Sequence, residues 1–224
     1  MASSGVRRGL GSFSYNLQKV YQAVEICSIA LASPAASASA EQPFWSKAAA
    51  LMKAQMSIPM TTSMYLAGSA MAPALNRNSL KDRDSVEKLV IRTIPRPSVR
   101  SVMVGDVVAF NSPMGASGVM VRRVAAVEGD ELVASKEDQE VEVMVVPKDH
   151  CWVLADNPDL KPPLVIDSRA FGHLPLSNIV GRVIYSGSSA EEQGPVYNHP
   201  FSVEHDAAIL DAEVDPSQFF ADGK

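Results

Sequence analysis

Between residues 86 and 187 the chain alternates short apolar runs with turn residues. EKLVIRT, GDVVAFNS, GVMVRRVAAVEGD, ELVAS, EVEVMVV, HCWVLAD and NIVGRVIYS are rich in Val and Ile and bounded by Gly, Pro, Asp or Asn. β-Branched side chains pack well on a pleated surface and lose χ1 freedom in a helix, so such runs predict strands. Several short strands with turn signals between them predict a mainly β, twisted antiparallel domain. AAVEGDELVAS predicts a hairpin turning at Gly129-Asp130. NPDLKPPLVIDSRAFGHLPLS predicts a long irregular connection, a kind of segment that often carries function.

Upstream, the period changes from two to that of a helix. Residues 15–32 and 44–57 predict helices, separated by a SPAASASAEQP linker. The chain therefore divides into a targeting-like or helical N-terminal segment with its linker (1–43), a helix (44–63), the β domain (64–186) and an acidic, partly disordered tail (187–224). Within the tail, HDAAILDAEV predicts one short helix.

Charge sharpens this division. The net value is -5, which excludes a nucleic-acid binder held by bulk electrostatics. Arg7, Arg8, Lys19, Lys47, Lys53 and Arg77 outnumber Glu25 and Glu41 before residue 80, whereas the tail is acidic. Early arginines, many Ser and Ala and no acid before Glu25 read as an organellar targeting segment, with a soluble helix and flexible linker as the other reading. No stretch approaches the roughly 20 apolar residues of a spanning helix. Phe44 and Trp45 with Lys47 and Lys53 fit either an interfacial helix with snorkelling lysines or a soluble one. Cys27 and Cys151 allow one disulfide but define no framework. His150, His173, His199 and His205 are scattered, so no metal and no cofactor are expected.

The segments GSAMAPAL, GDVVAFNSP, VRRVAAVEGD, VPKDHCWVLADN and DSRAFGHLPLSNIVGRV, in this order and spacing, resemble the type I signal peptidases, most closely their mitochondrial inner-membrane branch. The resemblance covers roughly residues 64–186. It implies a signal-peptidase-like β fold after a membrane anchor and a Ser/Lys dyad that cleaves presequences at a membrane. The serine of that family sits in Gly-x-Ser-Met-x-Pro-Thr, and the lysine in Lys-Arg-Val shortly before Gly-Asp.

This chain departs from the pattern at both positions. Gly68, Met71 and Pro73 match, but Ala70 stands where the nucleophile belongs and Ala74 where threonine is usual. Ser69 lies one residue early, and in an extended segment neighbouring side chains face opposite ways unless a bulge intervenes. Arg122 takes the place of the base and Arg123 that of the family's arginine. Burial can bring a lysine from about 10.4 toward neutrality, whereas arginine stays protonated. No catalytic residue is therefore expected, except Ser69 if the loop is shifted.

The remaining matches, Arg123, Asp156, Asn157, Asp167, Ser168 and Arg169, read as groove or framework. Arg122 is expected to pair with Asp167 or Glu128, Asp156-Asn157 to form an Asx-type turn, and Cys151 and Trp152 to lie in the core. Nothing local supports a pair between Ser69 and His150 or His173. The resulting expectation is a peptidase-fold pseudoenzyme of the mitochondrial inner membrane, with the chloroplast as the other organelle. It would be a structural or partner-binding subunit of a membrane-associated complex, whose partners include an active paralogous peptidase, and its groove would hold a peptide segment. The alternative is an active serine endopeptidase processing presequences of imported proteins.

Overall fold

The computed structural model describes residues 4–32, 43–115, 118–134 and 142–220. The expected linker at 33–42 and the last four residues of the tail lie outside them. In chain order the elements are α1 (Ser4–Ala32), α2 (Phe44–Ser57), β1 (Thr61–Ala67), β2 (Val86–Thr93), β3 (Val107–Asn111), β4 (Val119–Val127), β5 (Glu131–Ala134), β6 (Glu142–Val145), β7 (His150–Leu154), α3 (Ser168–Phe171), β8 (Leu174–Pro175), β9 (Ile179–Gly187), β10 (Gln193–Pro195) and α4 (Pro200–Glu213). None of the described helices is long and apolar enough to cross a membrane.

Seven strands form one antiparallel sheet in the order β1-β2-β9-β3-β4-β7-β8, with β10 added to β9. Register shifts at Val90/Ile91, Ala109/Phe110 and Val124/Ala126 mark irregularities of the kind that bend and twist a sheet. The central strands are buried on both faces. Val107 and Ala109 join Leu66, Met71, Leu89, Ile91, Val121 and Val183 in one cluster, while Val108 and Phe110 join Val124, Cys151, Val153, Leu174 and Ile179 in another. Each such side chain contributes on the order of 2 kcal/mol by leaving water. Cys151 is fully buried and Trp152 half-buried, and both cysteines are free.

Three features differ from the sequence expectation. The segment assigned as helix over 44–63 is helical only to Ser57, the bound its helical pattern gave, and β1 follows almost at once. Its outermost residues Thr61 and Thr62 suit a strand, and it pairs in register with β2. The chain does turn at Gly129, where φ is 88°, but β5 does not return along β4; it pairs with β6 in a separate two-stranded sheet. The tail is ordered through Phe220. α4 covers Met60, Val90, Ile184 and Tyr185 with Ile209, and Phe219 packs edge-on to Tyr185.

The acidic tail folds because its carboxylates meet cations and donors of the body. Asp206 lies between Arg182 (2.7 Å) and Arg92 (3.1 Å). Glu213 accepts from the Tyr15 hydroxyl and from the backbone N–H groups of Met60 and Thr61. Asp106, at the head of the GDVVAFNSP segment, takes the other side of Arg182 at 2.8 Å and also accepts from Ser202.

Gly181 shows why IVGRV needs its glycine. A Cβ there would collide with the Arg92 carbonyl oxygen of the neighbouring strand. Gly181→Ala is expected to lower stability by about 2–3 kcal/mol. A thermal melt reads this directly, with Gly194→Ala, whose added methyl meets nothing, as the unchanged control.

Candidate functional site

β1 delivers the chain into a tight loop. Gly68 turns it with φ 81°, a conformation open to glycine and strained for other residues. The loop then closes on itself, as Ala72 N–H donates to Ser69 O (3.2 Å) and Leu75 N–H to Met71 O (2.8 Å). Met71 and Leu75 are driven into the core and anchor the loop from below. Pro73 is exposed.

Asn76 holds the loop from its far end. In a left-handed conformation at φ 51°, its amide donates to Gly68 O (3.1 Å) and Ser85 O (2.9 Å), and its backbone N–H donates to the Glu87 carboxylate. The sequence reading missed this clamp. The signal was there, since Asn tolerates left-handed backbone and bonds nearby main chain better than most residues.

Asn157 fixes the register at the serine. Its backbone N–H donates to Ala70 O (3.1 Å) and its side chain to Ser69 O (2.9 Å). Its own Oδ1 accepts from Asp159 N–H, giving the expected Asx turn. The backbone of residues 69 and 70 is therefore held, while the Ser69 hydroxyl makes no hydrogen bond among the described residues. His173 makes ring contacts with His150 and Trp152, and among the described residues neither histidine bonds Ser69.

β4 supplies the arginines, one to each face. Arg122 is 7% exposed; its Nε donates to Ile166 O at 2.9 Å and its Nη1 to Val121 O at 2.6 Å. The expected carboxylate pairing does not form. Asp167 is taken by Arg169, Nη2 to Oδ2 at 2.6 Å, and Glu128 accepts from Asp149 N–H. Burial pushes the Arg122 guanidinium down, the charge of Asp167 raises it and that of Arg169 lowers it. Its ordinary value is so high that it stays protonated.

The other matched residues lock the corner together. Arg123 grips Asp156 with two nitrogens and donates to Gly105 O (2.7 Å) and Tyr197 O (2.9 Å). Asp167 caps α3 through Arg169 N–H and accepts from Ala155 N–H. Burial would raise its carboxyl, but the bonds from Arg169 and Ala155 outweigh it and hold it below the usual range. Ser168 accepts Val153 N–H at 2.9 Å. Hydrogen bonds thus tie Ala70 to Asn157 and, two residues earlier in the same segment, Ala155 to Asp167, beside which Ile166 accepts from Arg122.

Chemically, this corner offers a fixed cation, a hydroxyl without a base as its hydrogen-bond partner, and an open strand edge. Among the described residues β1 pairs only with β2. Among the described residues no three His, Cys, Asp or Glu side chains gather as a metal site.

No family model matches the chain. It is 38% identical over 148 residues to the mitochondrial ATP-independent inner membrane protease subunit 2 of Arabidopsis thaliana, covering 66% of this chain and 68% of that protein. It is 37% identical over 84 residues to subunit 1a of the same plant's protease, covering 36% of this chain and 47% of that one. It is also 32% identical over 101 residues to the mitochondrial inner membrane protease subunit 1 of Xenopus tropicalis, covering 45% of this chain and 58% of the frog protein.

Proposed function

The chain belongs to the mitochondrial inner-membrane protease subunits of the type I signal peptidase family, and from that membership we propose that it is a non-catalytic, partner-binding subunit at the mitochondrial inner membrane. The observation that carries this reading is Arg122, a buried guanidinium at the family's base position that donates to two carbonyls and stays protonated near neutral pH, so it cannot accept a serine proton. Ala70, at the nucleophile position, points the same way. Ser69 cannot slide into place cheaply, because Asn157 binds both carbonyls of the Ser69-Ala70 pair. The relatives are protease subunits, which supports protein partners for this chain, and in our reading an active paralogous peptidase is among them.

The open edge of β1 supports a retained peptide-binding role. Among the described residues no strand pairs with its outer edge, and the strand leads straight into the Gly68–Pro73 loop. The second reading, an active peptidase using a displaced Ser69, rests on the unbonded Ser69 hydroxyl.

One assay separates the two. The natural chain and Ser69→Ala are incubated with a presequence-bearing precursor, and a fluorescent presequence peptide is titrated into both. The expected result is no cleavage by either protein and equal peptide binding by both. Cleavage by the natural chain that Ser69→Ala abolishes would overturn the inactive reading.

A further inference from the structure

A cavity of about 480 Å³ opens between α1, the β2–β3 connection and α4, lined by residues other than those of the loop corner. Four arginines line it: Arg92, Arg96, Arg100 and Arg182. Arg182 is fully engaged by Asp206, Asp106 and Ser101 O. Arg92 is not. It is 9% exposed, its Nε lies 3.1 Å from Asp206, and its two Nη nitrogens make no hydrogen bond among the described residues. Burial and the neighbouring Arg182 push its guanidinium down, against Asp206 and Glu25, so its charge is incompletely compensated. Among the described residues Arg96 bonds only the Ser28 hydroxyl, at 3.3 Å, and the exposed Arg100 has no partner. Of the cavity's lining, only Glu25 is acidic.

Two residues of the lining, Gln18 and Gln22, each carry an orphan acceptor. Gln22 is 8% exposed, and its Oε1 is buried without a hydrogen-bond partner. Gln18 Oε1 is in the same state, while its Nε2 is fixed to His205 O at 2.7 Å. A buried acceptor left unpaired is costly, so these oxygens point to a ligand that brings O–H donors. Guanidinium groups want anionic oxygens, and planar forks suit phosphate. A phosphodiester carrying a glycerol hydroxyl meets both demands.

The wall of the cavity continues into an apolar face. Phe13, Leu17, Tyr21 and Val24 repeat at helical spacing on the outer side of α1, each more than 40% exposed, with Tyr21 itself lining the cavity. Between Gly11 and Ala32 the only charged residues of α1 are Lys19 and Glu25, both partly buried, and Glu25 follows Tyr21 by one turn in the cavity wall. Phe201, 53% exposed, stands at the other rim. We propose that this cavity is a binding site for the headgroup of an anionic phospholipid of the phosphatidylglycerol type, with its acyl chains and the surrounding bilayer surface lying along the outer face of α1.

The test is vesicle flotation of the full chain. Vesicles of phosphatidylcholine alone are compared with phosphatidylcholine and phosphatidylglycerol at about three to one. Because the chain carries a net charge of -5, bulk electrostatics oppose binding to the anionic vesicles, and retention reports a local site. Retention is expected on the anionic vesicles only. Arg96→Glu with Arg100→Glu is expected to weaken it at least about tenfold. These two side chains are exposed and belong to none of the buried ion pairs, so the variant folds. Lys148→Glu with Lys161→Glu makes the same charge change away from the cavity and is expected to leave retention intact. Tyr21→Ser with Leu17→Ser is expected to weaken it with all arginines present. Glycerol 3-phosphate and inorganic phosphate, titrated by NMR, give the soluble arm. If they bind at Arg96 and Arg100 while vesicles of both kinds are ignored, the site takes a free phosphate and the lipid proposal fails. Equal retention on neutral vesicles, or equal loss in the two charge-reversed pairs, also overturns it.

Discussion

Ala70→Ser together with Arg122→Lys is expected to cleave a presequence-bearing precursor at about 10³-fold or more above the natural chain. Both substitutions are needed, because nucleophile and base act as a unit and each alone leaves the other without a partner. The surroundings favour the new pair. The burial that pushes the Arg122 guanidinium down would act on an ammonium whose ordinary value is only about 10.4. The carbonyls of Ile166 and Val121 remain to orient it, and Asn157 already holds the backbone of residue 70. Two readouts check the result. The rate of the double variant should rise with pH as the lysine loses its proton, and either single variant should remain at the level of the natural chain. A folded double variant with no activity would mean that the corner keeps its framework but not a productive groove.

Asp206→Asn is expected to cost about 3–5 kcal/mol, the effect of breaking a buried ion pair from one side. Asp206 is 3% exposed and answers two arginines at once, Arg182 and Arg92. Asp106 still serves Arg182, but Arg92 would be left buried with no carboxylate within ion-pair distance. The same carboxylate sets an acid limit. Burial would raise it, but His205, Arg182 and Arg92 outweigh that and hold it below the ordinary range. A group lowered on folding stabilises fully above its unfolded value of about 3.9, and that contribution disappears as pH falls through the lower, folded value. Thermal melts of the natural chain should therefore fall off below about pH 4, and Asp206→Asn should show a shallower slope there from a lower starting Tm. A Tm unchanged by the substitution would mean that α4 is not anchored through this pair.

The parts of the molecule written locally were legible from the chain alone. β3, β4, β7 and β9 follow runs whose branched side chains and turn residues act within a few positions of each other, so their pattern needs no distant partner. The loop motif, the Asp-Ser-Arg box and the replacement of a lysine by Arg122 were equally visible, because residue identity alone decides whether a side chain can be a base.

What pairs across the chain was not legible. Asp167 chose Arg169, two residues away, which left Arg122 to main-chain carbonyls. β1 reads as the end of a helix until β2 supplies its register. The acidic tail looked disordered because its charges had no visible counterparts. Tyr15 reaches Glu213 across 198 positions, and Arg182 reaches Asp206 across 24. A carboxylate costs free energy to bury until a cation meets it. Composition therefore set the charge of the tail, and only the folded sheet, by bringing Arg92 and Arg182 beneath α4, decided that it would be part of the core.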